Sequence, residues 1–293
     1  MNRTTLERGE STNVERLVVR ENYGVRQMSS TSIVVGYVVA GAKRLYHTRG
    51  VIQCREGDIF VLNPGVHYEE NRAEGRDYYE QIAFCFDPTM LQDVLCSLNV
   101  NYGVNLHSLY SHHSCPMCEG CNATSAAASE QLCDLFVAVK TSLRHSALLK
   151  NDVSQRLKLN ELVYLILSSG DNCLRHRLLR LADSGERHFV QIVHDNLFRD
   201  ISVDALASLT NRSTTTFKRD FRQIFGTSPH RWFVEQRLLR ARIMIRSTSA
   251  TVSEIAHQSG FASASHFIKL FRRHFDTTPC EMRRNAPILH EEK

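Results

Sequence analysis

The chain has 293 residues, enough for two domains that each bury their own core, and its 42% hydrophobic and 23% charged content is that of a globular protein without long disordered stretches. Its formal charge of +5 is unevenly spread: residues 187–293 hold 17 basic against 10 acidic side chains, whereas residues 1–186 hold 19 against 21. Apolar runs such as "SIVVGYVVAG" fall short of the roughly 20 residues of a membrane helix, and the polar start "MNRTTLERGESTNVER" lacks a signal core, so no membrane association and a cytoplasmic location are expected.

Residues 1–15 read as a flexible N-terminus. From residue 16 to about 86 the pattern is that of strands. "SIVVGYVVAG" is β-branched and ends at Gly41, "RLYH" follows, and "VIQC", the turn "REGD" and "IFVLNPG" form a short pair. "DYYEQIAFCF" sets Tyr78, Ile82, Phe84 and Phe86 on one face, with polar or small residues on the other. Short strands with glycine-bearing turns indicate an antiparallel sandwich or small barrel.

Next comes "SHHSCPMCEGCN", in a loop placed at 111–125, where Cys115, Cys118 and Cys121 are spaced C-x2-C-x2-C near His112, His113 and Cys133. Turn-borne thiolates at this spacing can converge on one soft ion, with Cys133 as a fourth ligand. Zinc, an iron–sulfur cluster and a redox switch all fit the pattern, and so does a loop of free thiols without a role.

From about 126 the period becomes helical. Leu132, Leu135, Phe136, Val139 and Leu143 define one helix; Leu157, Leu159, Leu162, Leu165 and Ile166 define a second, joined to it near Asn151. These helices, assigned to residues 126–186, either cover the sheet domain or pair two protomers. The charged "RHRLLRLADSGERH" reads as a linker.

Residues 187–293 are helical and repeat themselves. Ser202 caps "VDALASLT", Asn211 and Arg212 form a turn, and Ser213 caps a helix running to Phe225 and stopped by Gly226. The second copy has "VSEIAHQSG", a turn at Gly260 and Phe261, and "ASHFIKLFRRHF" capped by Ser263, with Pro279 as a stop signal matching Pro229. Phe217, Phe221 and Phe225, and in the second copy Phe267, Phe271 and Phe275, lie four apart and form core stripes. Ser213, Thr214, Thr215, Lys218, Arg219 and Arg222, with Ser265, His266, Lys269, Arg272 and Arg273, are then left facing outward. Small hydroxyls and cations on such a face suit a groove of phosphates and base edges. Between the copies, "PHRWFVEQRLLRARIMIRS" makes a helix of roughly 18 residues, about 27 Å long, a stiff spacer for two helices entering successive major grooves.

Residues 187–290 resemble the DNA-binding domain of the AraC/XylS family of bacterial transcription regulators. The resemblance rests on "LASLTNRSTTTFKRDFRQIFGTSPHRWF", "RLLRARIMI" and "VSEIAHQSGFASASHFIKLFRRHFDTTPCEMRR". It implies base contacts at Thr215, Lys218 and Arg219, and at Ala264, Ser265, Ile268 and Lys269. Since Ala264 and Ile268 cannot hydrogen-bond a base, the second unit either reads methyl groups or mostly holds the backbone.

"EGDIFVLNPGVHYEEN", with His67 four residues before Asn71, resembles the second motif of cupin barrels, a sensory module of the same family. No His-x-His stands in the barrel region and His47 is isolated, so a metal-dependent cupin enzyme is the weaker rival reading. A ligand pocket at the barrel mouth would draw on Tyr37, Tyr46, His67 and Tyr68. Together these readings give an α+β chain: a cupin-like β-barrel at 16–110 followed by two helices, and an all-α DNA-binding domain at 187–293. The expected activity is non-enzymatic transcription regulation as a homodimer, with double-stranded DNA, RNA polymerase and a small-molecule or protein effector as partners. A metal- or redox-responsive regulator using the cysteine loop is the alternative.

Overall fold

The computed structural model describes residues 4–8, 14–20, 24–48, 50–109, 121–144, 152–199 and 201–285. Two compact units make up the chain: residues 1–46 with 51–187, and residues 188–293 with 47–50.

The first unit has ten strands: β1 Thr4–Arg8, β2 Val14–Val19, β3 Arg26–Ser30, β4 Ile33–Ala40, β5 Ala42–His47, β6 Gly50–Arg55, β7 Asp58–Leu62, β8 Gly65–Arg72, β9 Tyr79–Phe86 and β10 Ala123–Ala127. They form a six-stranded sheet of order β1-β2-β9-β4-β7-β10 and a four-stranded sheet of order β3-β8-β5-β6. The expected barrel does not close among the described residues. The two antiparallel sheets are the expected cupin-like pair, and the central strands of the larger one are apolar on both faces because the second sheet covers one and helices cover the other.

Strand β4 shows why. Alternate side chains point to opposite sides of a strand, so Ile33, Val35 and Tyr37 join one hydrophobic cluster while Val34 and Val38 join another. Strand β9 divides likewise: Ile82, Phe84 and Phe86 face one way, and Tyr79, Ala83 and Cys85 the other. The face of small and polar residues is therefore buried too, because the second sheet covers it. Gly36 pairs with Phe60 across β4 and β7, and a Cβ at residue 36 would lie 2.1 Å from the Phe60 ring, so only glycine lets that ring fill the inter-sheet space.

The outer face of the large sheet is covered by α1 Pro88–Tyr102, α3 Glu130–Arg144, α4 Asp152–Ser168 and α5 Asn172–Ala182; a short α2, Leu106–Leu109, follows α1. Helix α1, not anticipated from the sequence, is capped by Asp87, starts at Pro88 and ends at Gly103 with φ 68°. Leu157, expected on the buried stripe of α4, is 61% exposed. It lies two residues from Leu159, and positions two apart on a helix cannot share a face. The charged stretch expected as a linker is instead mostly α5 and the start of α6, Ser184–Asp195. Arg177 explains its composition. This buried side chain donates to the Cys121 and Ala123 carbonyls and to the Thr124 hydroxyl at 2.8 Å, locking α5 onto β10.

The second unit is helical: α6, α7 Val203–Leu209, α8 Thr214–Phe225, α9 Pro229–Ser247, α10 Val252–Gln258, α11 Ala264–Phe275 and α12 Pro279–Asn285. Pro279 is the first residue of α12, so the expected stop signal starts a helix, as Pro229 does for α9. No helix among the described residues is long and apolar enough to cross a membrane.

Candidate nucleic-acid interface

Each copy of the repeat is a pair of helices locked by the same contacts. In the first, Thr210 ends α7, Asn211 takes the left-handed conformation (φ 54°), and the Arg212 amide donates to the Ala207 carbonyl at 2.9 Å. In the second, Ser259 ends α10, Gly260 takes φ 84°, and the Phe261 amide donates to the Ala256 carbonyl at 3.0 Å. The first helices correspond at an offset of 49 residues and the second at 50, so the second turn is one residue longer. Asparagine and glycine both tolerate this backbone region.

The stripes pack as their spacing requires. Phe217, Phe221 and Phe225 gather with Phe189 of α6 and with Trp232 and Phe233 of α9. Phe267 and Phe271 gather with Leu238, Ala241 and Ile245 from the other end of α9, and Phe275 is half-buried beside them. Helix α9 is thus a shared wall. Its 19 residues span about 28 Å, with one copy packed on its N-terminal half and the other on its C-terminal half.

Arg237, midway along α9, binds both sides: it donates to the carbonyls of Leu197 at 3.3 Å and Arg199 at 2.7 Å, before the first copy, and of Gly260 at 2.8 Å, in the turn of the second. Sequence reasoning missed this residue, because nothing in the local pattern separates it from the other arginines of α9.

With the phenylalanines buried, the opposite faces of α8 and α11 are open. Ser213, Thr215, Lys218, Arg219 and Arg222 are exposed on the first, and Ser265, His266, Lys269, Arg272 and Arg273 on the second. The Ser213 hydroxyl also accepts from the Thr216 amide at 3.2 Å as the helix cap, and Thr214 is tied to Asp204 at 2.6 Å. The Arg219 side chain, 74% exposed, touches Asp220 at 3.1 Å. Burial alone would raise the Asp220 carboxyl, but hydrogen bonds from Arg212 and Arg219 outweigh it and hold the group below its usual range. Asp220 therefore stays ionised and braces Arg219 beside the helix. Arg212 in turn stacks 4.7 Å from the centre of the Phe189 ring. A cleft of about 710 Å³ runs beside α8, lined by Lys218, Arg219, Arg222, Gln223, Ser228 and His230 among others. Gln223 and His230 were not anticipated there; Gln223 lies four residues after Arg219 and shares its face.

The four residues expected around a ligand pocket do not share one surface. Tyr37 stacks on Phe136 at 4.9 Å, on the helix side of the large sheet. Tyr46 and Tyr68 are cross-strand partners, and the Tyr46 hydroxyl donates to Glu70 at 2.7 Å. His67 is buried, with Nε2 2.7 Å from the Asn63 carbonyl, and burial pushes its pKa down to about 4. Between the sheets lies a polar cluster the sequence did not announce. Lys43, 1% exposed, pairs with Glu69 at 2.5 Å and donates to Asn71 and Gln81, which also accepts from the Tyr79 hydroxyl.

Of the expected metal ligands, Cys115 and Cys118 fall outside the described residues. Cys121 is buried in the inter-sheet cluster, whereas Cys133 accepts a hydrogen bond from Tyr37 at 3.7 Å on the opposite side of the large sheet. The structure does not bring those two thiols together, and among the described residues no group of three or more His, Cys, Asp or Glu could hold a metal ion.

Residues 206–285 match the family model described as a helix-turn-helix domain, and residues 19–167 match that of the AraC-like ligand binding domain. An uncharacterised HTH-type transcriptional regulator of Staphylococcus aureus strain COL is 25% identical over 89% of this chain and 32% of its own length. The chain thus spans about a third of the length of the staphylococcal relatives it matches. The HTH-type transcriptional regulator GbdR of Pseudomonas aeruginosa is 33% identical over 35% of this chain and 28% of its own. Among solved structures, ToxT from Vibrio cholerae O395 is 13% identical over 94% of this chain and 98% of that one, with a TM-score of 0.48. With the ligand-binding-domain model covering half of its residues and the helix-turn-helix model most of its C-terminal unit, the chain belongs to the AraC family of transcriptional regulators.

Proposed function

We propose that this chain regulates transcription by binding double-stranded DNA through α8 and α11, under the control of the N-terminal unit. One observation carries the reading. Two matched helix pairs on a single 19-residue helix turn their aromatic faces inward and expose cations and small hydroxyls on both second helices. Lys218 and Arg219 contact base edges or nearby phosphates, and Lys269, Arg272 and Arg273 hold phosphates. The match to both family models supports this assignment. The activity is binding in the cytoplasm rather than turnover.

In the same proposal the chain acts as a homodimer, the regulator responds to a small molecule or a partner protein, and RNA polymerase is the downstream partner. Val153, Leu157 and Tyr164 form an exposed apolar stripe along α4, a face suited to a second copy. The test is nuclease protection by the full chain on random-sequence duplexes, followed by affinity of Arg219→Ala at fixed salt. A base-contacting arginine is worth about 1–3 kcal/mol, so the expected loss is about fivefold to 150-fold. Unchanged affinity removes Arg219 from the interface, and the absence of any protected duplex removes the function.

A further inference from the structure

The two recognition helices are each 12 residues long and correspond at an offset of 50, so every outward position of one has a counterpart in the other. Along the ridge of positions four apart, α8 carries Thr214, Lys218 and Arg222, while α11 carries Ala264, Ile268 and Arg272. Only the last position is the same. At the middle one a lysine has its counterpart in an isoleucine, and both are exposed.

Ile268 is 38% exposed. Single exposed apolar residues are common on protein surfaces, so exposure alone decides nothing. Its place does. Phe267 and Phe271 already fill the core beneath α11, and a β-branched side chain lowers helix propensity at an open position. Ser265, Lys269 and Arg272 flank Ile268 on the same face and are exposed as well. An aliphatic side chain is therefore held at the centre of a polar surface, at the register where the other copy presents an amine to the cleft beside α8.

In the major groove, base edges offer hydrogen-bond donors and acceptors and one apolar group, the C5 methyl of thymine. We infer that Ile268 reads a thymine methyl, making it a specificity-determining residue of the second helix pair, whereas Lys218 at the same register of the first donates to an acceptor. This rests on the DNA-binding reading above and extends it. Ala264, partly buried against the same core, leaves room on the N-terminal side for the methyl to approach. Lys269 and Arg272 supply the phosphate contacts that hold the helix in place.

Replacing thymine by deoxyuridine removes the methyl and leaves pairing and every hydrogen-bonding group intact. The experiment takes a duplex selected by the full chain, replaces its thymines one at a time, and measures affinity for wild type, Ile268→Ala and Ile268→Lys. A buried methyl is worth about 0.8 kcal/mol, so wild type should lose about fourfold at one thymine, in the half of the site unaffected by Arg219→Ala. Ile268→Ala should bind thymine and deoxyuridine duplexes equally well, and Ile268→Lys should no longer require thymine there. No sensitive thymine in that half, or equal sensitivity in Ile268→Ala, overturns the proposal while leaving DNA binding standing. Failure to select any duplex overturns both.

Discussion

Arg237 allows the rigidity of the C-terminal unit to be tested apart from the DNA contacts proposed for it. Its guanidinium reaches carbonyls on both sides of α9, at 2.7, 2.8 and 3.3 Å, and truncation to alanine removes all three bonds without touching either recognition face. The side chain is half-buried, so water can replace part of each bond. At about 1 kcal/mol apiece the loss is about 2–3 kcal/mol. Trp232 is the only tryptophan in the chain and lies in the core between α8 and α9, so its fluorescence reports unfolding of this unit. With a urea dependence of about 1 kcal/mol per molar for a unit of this size, the midpoint should fall by about 2–3 M. Arg237→Lys should recover only part of that, because an ammonium cannot span three acceptors as a planar fork can. A functional measurement separates positioning from simple destabilisation. Adding one base pair between the two halves of the selected site moves them apart by about 3.4 Å and rotates one about the duplex axis. Wild type should discriminate strongly against that duplex, and Arg237→Ala several-fold less, in urea-free buffer where both are folded. An unchanged midpoint together with unchanged discrimination would refute the view that this side chain fixes the separation of the two helix pairs.

Two further outcomes concern the N-terminal unit. Burial pushes His67 down to about 4, opposed by its bond to Asn63 and by Glu69, with the charges of Lys43 and Arg177 adding to the depression. Between about 6.5 and 4 the unfolded chain takes up a proton that the folded one refuses, so stability is full above that window and falls as pH drops through it, by about 3 kcal/mol. Denaturation followed by circular dichroism should show this loss in wild type and its reduction in His67→Gln; identical pH profiles would place the titration elsewhere. Gly36→Ala should lower stability by about 1–3 kcal/mol through overpacking against Phe60, read as an earlier midpoint in the same assay, and Gly36→Ala with Phe60→Leu should regain part of it.

What the sequence disclosed and what it withheld follow from the range over which each feature is encoded. The helix pairs were legible because their determinants are local: serine caps, the turn residues Asn211 and Gly260, and phenylalanines four apart all act within about a dozen positions. Strands β4, β7 and β9 were legible as strands of a sandwich or barrel, but the burial of the second face of β9 was not, since whether Tyr79 and Ala83 face solvent or a second sheet depends on β5 and β6, which are distant in sequence. Composition misled in the segment 175–188. Its arginines suggested a linker, yet Arg177 is charged because three backbone and side-chain oxygens of residues 121–124 await it. The same difficulty hid Lys43, whose partners Glu69, Asn71 and Gln81 come from two other strands.

The duplication separates two kinds of constraint that a single domain leaves entangled. Positions 217, 221 and 225 repeat as phenylalanine at 267, 271 and 275 because both copies must fill the same space against one shared helix, and packing at core density leaves little freedom. The outward positions share no such constraint. Thr214 is matched by Ala264, Lys218 by Ile268, Arg219 by Lys269 and Gln223 by Arg273, whereas Arg222 and Arg272 agree, as do the capping serines Ser213 and Ser263. An arginine kept in the last turn of both helices fits a contact with phosphate, which is the same in every sequence, whereas three of the divergent pairs, 214/264, 218/268 and 219/269, lie nearer the N-termini, where a helix end meets base edges. Two copies that keep the same phenylalanine stripe and present different outward side chains are suited to the proposed reading of two unlike half-sites by one chain.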